Sequence, residues 1–65
     1  MIQFAGTKID LTKVINIEMV YEEGFSRDRW VVIVDNFKEN YYTLNEAQER
    51  FSEVFNLIQE VQKLK

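Results

Sequence analysis

The chain has 65 residues, of which 46 % are hydrophobic and 29 % are charged, and its formal net charge is −3. This composition is typical of a globular domain and excludes the class of disordered chains with low hydrophobicity and high charge. Cysteine and histidine are both absent, which excludes disulfides, ordinary zinc sites and catalysis by His or Cys. We therefore expect a single domain (1–65) that is stabilised by packing and self-association.

The hydropathy pattern gives no sign of a membrane location. No stretch approaches the ~20 apolar residues that a membrane-spanning helix needs, and residues 1–5 are too short for the apolar part of a signal peptide. We expect a soluble, cytoplasmic protein with no membrane partner. The acidic net charge repels phosphate backbones and so disfavours nucleic acid as a partner.

Alternating apolar residues and turn-forming residues predict a β-meander over about residues 1–44. Residues 1–5 and 8–11 are the weaker strand candidates, because Gly6 and Thr7 interrupt them. A clear strand is predicted from the alternation at 15–22, and after a connection at 23–28 a second one follows at 29–35. The second strand is apolar on both sides, which places it centrally, and a short strand follows at 41–44.

The clearest predicted element is a helix over about residues 45–63. Its amino end is capped either by Asn45 with Gln48 or by Thr43 with Glu46. The apolar face that repeats at spacings of three and four consists of Ala47, Phe51, Val54, Phe55, Ile58 and Val61. The predicted fold is therefore α+β, an antiparallel sheet of three to five strands with one long amphipathic helix packed on one face.

Motifs for enzymatic chemistry are missing from this sequence. There is no glycine-rich phosphate loop, no EF-hand spacing and no nucleophile paired with histidine. Adjacent carboxylates such as Glu22 and Glu23 point to opposite faces of a strand, so they do not form an acid–base pair. We expect no catalytic residues, no metal ligands, no cofactor and no small-molecule substrate.

An excess of apolar residues predicts self-association. A single helix covers one face of a sheet, so the other face of a monomer should be polar. The central strand contradicts this expectation, and the helix carries additional leucines near its carboxyl end. We expect a homodimer, or binding to another protein, through a surface formed by Val20, Val31, Ile33, Leu57 and Leu64.

Three segments, IDLTKVINIEMV, RWVVIVDNFKENYYTL and NEAQERFSEVFNLI, span 9–58. Together they resemble a group of small uncharacterised bacterial and phage proteins with a pleckstrin-homology-like antiparallel sheet and a closing helix. This resemblance implies an interaction module without catalytic residues. The function expected first is therefore that of a non-enzymatic interaction module.

A second resemblance supports an alternative function. The segment TLNEAQERFSEVFNLIQEVQKLK is similar to the strand end and helix of the single-strand-DNA-binding domain of the positive cofactor 4 family. That family presents basic and aromatic residues across its sheet, whereas the first clear strand here offers Asn16, Glu18 and Glu22. The alternative is weak binding of single-stranded nucleic acid by basic and aromatic side chains near the turns, namely Arg27, Arg29, Lys38 and Tyr41.

Overall fold

A computed structural model describes residues 1–24 and 26–63 of the chain. The strands are β1 (Ile2–Phe4), β2 (Thr7–Ile9), β3 (Ile17–Glu22), β4 (Arg29–Val34) and β5 (Phe37–Tyr41), and the helix is α1 (Leu44–Lys63). All strand pairs are antiparallel, and the strands form a two-stranded sheet, β1–β2, and a three-stranded sheet, β3–β4–β5. The predicted α+β class, with one long carboxyl-terminal helix packed against the sheet, is confirmed.

The first hairpin turns at Ala5 and Gly6, with Phe4 and Thr7 paired on either side. Both turn residues have positive φ, 53° at Ala5 and 77° at Gly6. Positive φ at both central positions is the conformation of a type I′ turn, which matches the twist of the flanking strands. Glycine adopts it readily, whereas alanine at the first position is strained.

The three-stranded sheet has β4 at its centre, as the two-sided apolar pattern predicts. Val32 and Val34 are buried on the helix face, and Val31 is buried on the other. The strand predicted at 15–22 is shorter in the structure, because β3 begins at Ile17 and Ile15 is 94 % exposed. The carboxylate of Asp35 accepts hydrogen bonds from the backbone N–H groups of Ile15 and Asn16, so this segment is bound to a turn instead of extending the strand. The short strand predicted at 41–44 is misplaced: β5 is Phe37–Tyr41, because β4 and β5 are joined by only two residues, and the helix already begins at Leu44.

The amino end of the helix is capped by Thr43, one of the two predicted alternatives. The Thr43 hydroxyl accepts a hydrogen bond from the backbone N–H of Glu46 and donates one to its carboxylate. The core between helix and sheets is formed by Phe4, Ile9, Leu11, Val32, Val34, Ala47, Val54 and Ile58. It joins both sheets to α1 in one apolar cluster.

Phe55 was predicted as a core residue of the helix, and this prediction is wrong. Its side chain is 36 % exposed and stacks on Phe51, with 5.9 Å between the ring centroids. The spacing pattern places Phe55 within the apolar stripe, but it lies about 80° round the helix axis from Ala47, at the edge of the buried sector. Periodicity alone does not show where the sheet beneath a helix ends.

The last turns of the helix pack on the chain's own 3-10 turn, Leu11–Lys13. The side-chain amide of Gln62 donates hydrogen bonds to the carbonyl oxygens of Leu11 and Val14. Leu57 is half-buried and packs against the core cluster. A 20-residue helix is about 30 Å long and a six-residue strand about 20 Å, so the excess length of the helix is covered by this turn.

Candidate functional site

One side of the molecule combines an open strand edge with apolar side chains. We call this surface the β3 flank; it consists of Ile17, Met19, Tyr21, Phe51 and Phe55. β3 is an end strand of its sheet, and its odd-numbered side chains point to the face that α1 covers, since Ile17 and Met19 pack against the core. Tyr21 is 46 % exposed and packs on the Trp30 ring, 4.8 Å between centroids.

The direction in which Phe55 points from the helix follows from the contacts of Arg50 on the other side of the helix. Arg50 donates hydrogen bonds to Glu39 of β5 and to the carbonyl oxygen of Gln3 in β1. Phe55 is five residues further along and therefore about 140° round the axis. Because the buried residues Ala47, Val54 and Ile58 lie between the two directions, Phe55 lies on the side of the helix turned toward β3.

The open face of the three-stranded sheet brings together three of the five residues predicted for self-association. Val20, Val31 and Ile33 alternate onto the face away from the helix, where Val20 is opposite Val31. Val31 is only 1 % exposed, and its two neighbours are half-buried. This face therefore offers little accessible apolar area.

The remaining two predicted residues lie elsewhere. Leu57 contacts the core on the helix side and is separated by the sheet from the open face. Leu64 lies outside the described residues. The four described residues of this set therefore do not form one surface. The sequence combined them because it does not show which face of the sheet the helix covers.

The four residues of the nucleic-acid alternative are divided between the two faces. Tyr41 lies on the helix face and packs against the core, whereas Arg29 and Lys38 alternate onto the open face. Arg29 forms a salt bridge with Glu22, N···O 3.5 Å. The guanidinium of Arg27 lies over the Tyr42 ring, 3.9 Å from its centroid. This arrangement contains no continuous row of basic and aromatic groups.

A hydrogen-bonded cluster around Glu39 was not predicted from the sequence. One carboxylate oxygen of Glu39 accepts from Arg50 Nε at 2.9 Å and from the Tyr41 hydroxyl at 2.6 Å. The other accepts from the backbone N–H of Ala5 at 2.8 Å. The only available signal was that Glu39 shares its face of β5 with Tyr41. The cluster joins β1, β5 and α1 and so holds the two sheets and the helix together.

The cluster shifts the pKa values of its members. Burial raises the pKa of Glu39, but the hydrogen bonds from Arg50, Tyr41 and the Ala5 amide outweigh it and lower that pKa overall. Burial and the hydrogen bond to Glu39 raise the pKa of Tyr41 to about 12. Both shifts keep Glu39 charged and Tyr41 neutral, the states in which this hydrogen bond is strongest. The groups therefore have a structural explanation that requires no catalysis.

An open cleft of about 280 Å³ lies between β2, the 3-10 turn and the turn that joins β4 to β5. Two acids line it, Asp10 and Asp35. The Asp10 carboxylate caps the 3-10 turn by accepting hydrogen bonds from Thr12, and Asp35 binds the N–H groups of Ile15 and Asn16. Both carboxylates are therefore engaged in holding the backbone.

In the part of the chain that the structure describes, no group of three or more acidic side chains is placed to hold a metal ion. None of its helices is long and apolar enough to cross a membrane. No protein-family model, no curated protein and no solved structure matches this chain.

Proposed function

We propose that this protein is a non-enzymatic interaction module that self-associates through the β3 flank to form a homodimer. The observation that carries the proposal is the coincidence of an end strand with partly exposed apolar side chains on the helix beside it. Each feature alone is common on monomeric proteins. Together they offer backbone hydrogen bonds and apolar contacts to the same partner.

The size of the chain supports self-association. A chain of 65 residues buries only about 60 % of the surface exposed in its unfolded form, so its own core provides a small margin of stability. Burying the exposed parts of Tyr21 and Phe55 in a dimer adds apolar burial that the monomer lacks. A closed two-fold dimer achieves this without leaving a further open surface of the same kind.

Sedimentation equilibrium tests the proposal. The expected mass is 7.8 kDa at the lowest concentrations and rises toward twice that value between about 10 μM and 1 mM. A mass of one chain throughout this range would contradict the proposal.

Two variants of equal charge locate the interface. Phe55→Lys places a charge on the β3 flank, and Asn56→Lys places the same charge on the exposed side of the helix. We expect Phe55→Lys to remain monomeric and Asn56→Lys to associate like the parent chain. Equal association of both variants would show that the helix side of the β3 flank is not in the interface.

Single-stranded nucleic acid has less support as a partner. Of the basic residues named for it, Arg29 is paired with Glu22 and Arg27 is stacked on Tyr42, and the net charge of −3 repels a phosphate backbone. A titration of labelled single-stranded DNA at low salt measures this directly. Affinity near the micromolar range that falls steeply as salt rises would favour the alternative.

A further inference from the structure

The hydrogen-bond pattern of the sheet shows which backbone groups of β3 are unused. The N–H of Asp35 donates to the carbonyl oxygen of Asn16 at 2.9 Å, and the register continues with Glu18 opposite Ile33. In an antiparallel pair, hydrogen-bonded positions recur every second residue. The even-numbered residues of β3 therefore bond to β4, and the backbone groups of Ile17, Met19 and Tyr21 point away from the sheet.

The turn that joins β4 to β5 gives the same result independently. Val34 and Phe37 flank a two-residue connection and are paired, so the backbone groups of Val34 bond to β5. The backbone groups of the odd-numbered residues of β4 must then bond to the even-numbered residues of β3. This again leaves the backbone groups of Ile17, Met19 and Tyr21 pointing away from the sheet. Within residues 1–24 and 26–63, no strand pairs with this edge.

The edge also lacks the usual protection against pairing. Proteins commonly protect an end strand with lysine, proline, a bulge or a charge that points inward. β3 reads IEMVYE and pairs with β4 without a bulge. Its two glutamates are even-numbered, so they lie on the open face, and the helix face of the edge carries Ile17, Met19 and the Tyr21 ring, whose hydroxyl is hydrogen-bonded to Asp28.

A second copy of β3 can pair with five of the six residues of this strand in two registers, with the axis at Met19 or at Val20, and with three residues or fewer in the others. A two-fold axis perpendicular to the sheet brings residues of the same face opposite each other. The axis must therefore lie midway between one residue and its own copy in the partner, and we refer to it as an axis through that residue. An axis through Val20 places Glu18 opposite the partner's Glu22, twice. An axis through Glu18 places that glutamate opposite its own copy. Both arrangements oppose like charges, which destabilises strand pairs.

An axis through Met19 avoids these repulsions. It places Ile17 opposite the partner's Tyr21 on the helix face, an aromatic and β-branched pair of the kind that stabilises antiparallel strands. On the open face, Glu18 lies opposite the partner's Val20. The outward-facing residues are then opposite one another, so every unused N–H and C=O of Ile17, Met19 and Tyr21 finds a partner.

We propose that two copies of this chain pair their β3 strands antiparallel about a two-fold axis at Met19, forming a continuous six-stranded sheet with both helices on one face. The arrangement rests on the self-association proposed above and specifies its register. It brings the two β3 flanks side by side, with the Phe51 and Phe55 rings of each copy beside the junction.

Cysteine cross-linking tests the register, because the chain contains no cysteine of its own. In Met19→Cys, the two introduced residues lie directly opposite each other with about 5.5 Å between their Cα atoms, which a disulfide spans. In the control Val20→Cys, the Cα atoms are about 8 Å apart, which is too far. We expect the first variant to cross-link at least about tenfold faster than the second under mild oxidation.

The outcomes separate this inference from the proposed function. If the parent chain is a dimer but Met19→Cys cross-links no faster than Val20→Cys, the register is wrong while self-association stands. If sedimentation shows one chain at every concentration, both proposals fail. Circular dichroism of each variant confirms that the fold is retained before cross-linking is compared.

Proline substitution tests the use of the backbone itself. Tyr21→Pro removes an N–H that points outward, and a strand tolerates this at an edge. The control Tyr21→Thr removes the same ring and keeps the N–H. We expect both to fold and the proline variant to dimerise at least about tenfold more weakly, since two hydrogen bonds of the junction are lost. Equal association would overturn the pairing, and an unfolded proline variant beside a folded threonine variant would overturn the outward orientation.

Discussion

The pair of Glu39 and Arg50 should stabilise the fold more than a surface salt bridge does. Their charged atoms are 2.9 Å apart, and the side chains are only 19 % and 20 % exposed. At about 4 Å between charge centres and an effective dielectric constant of about 20, the attraction is about 4 kcal/mol. Desolvation offsets much of this gain, whereas fully exposed pairs contribute at most about 1 kcal/mol. We therefore expect a coupling energy of about 1–2 kcal/mol.

A double-mutant cycle measures this coupling. Glu39→Gln and Arg50→Met keep the approximate size of each side chain, and Met preserves apolar contact with Phe4, over whose ring the guanidinium lies. Urea unfolding of the four proteins at neutral pH, at one fixed protein concentration, gives the coupling energy. A value below about 0.3 kcal/mol would refute the reasoning, because it would mean that the observed geometry contributes nothing beyond two independent side chains.

The pH dependence provides a second check on the same pair. The pKa of Glu39 is lowered from 4.5 in the folded protein, so the folded state favours the charged carboxylate. Its contribution is fully present above the unfolded pKa and is lost as the pH falls through the folded value. The coupling energy should therefore decrease as the solution is acidified below about pH 4.5. A coupling that stays constant through this titration would show that it does not depend on the charge of Glu39.

Three further predictions concern stability. Ala5→Asn should raise the free energy of unfolding by about 0.5–1 kcal/mol in urea melts, because Asn tolerates the positive φ of a type I′ turn better than Ala; a loss of stability would contradict the turn assignment. At a protein concentration low enough to keep the chain monomeric, Val54→Ala should cost about 2–3 kcal/mol and Phe55→Ala less, although Phe is larger, because Val54 is fully buried; the reverse order would mean that Phe55 is in the core of the monomer. The pKa of Tyr41 is raised to about 12 in the folded protein, so the folded state favours the neutral phenol. The free energy of unfolding should therefore decrease as the pH rises from about 10 to about 12, and this decrease should be smaller in Tyr41→Phe.

The elements of the fold were predictable where the sequence pattern is local. The helix was expected over about 45–63 and is observed at Leu44–Lys63, because its periodicity and capping residues are read within single turns. The central position of β4 followed from its two apolar faces. The strand expected from residue 15 begins at Ile17, because a side chain 20 residues away, Asp35, holds the segment before it. That contact has no local sequence signal.

The candidate surface was only partly predictable. A surplus of apolar residues pointed to self-association, and this expectation remains a proposal. Its predicted residues came from both sides of the sheet, because alternation separates Val20 from Met19 without showing which of them the helix covers. The exposure of Phe55 and the near-complete burial of Val31 depend on how far the neighbouring elements extend, which no periodicity reports.

By itself, the sequence determined the fold class, the approximate bounds of the helix and of β3 and β4, and the exclusion of histidine- and cysteine-based chemistry. Each of these depends on residue identity or on neighbours within a few positions along the chain. The tertiary structure alone decided which face of the sheet the helix covers, that Glu39 meets Arg50, and that β3 has an unpaired edge beside Phe51 and Phe55. These features depend on contacts between residues far apart in sequence, and such contacts are set by the packing of whole elements.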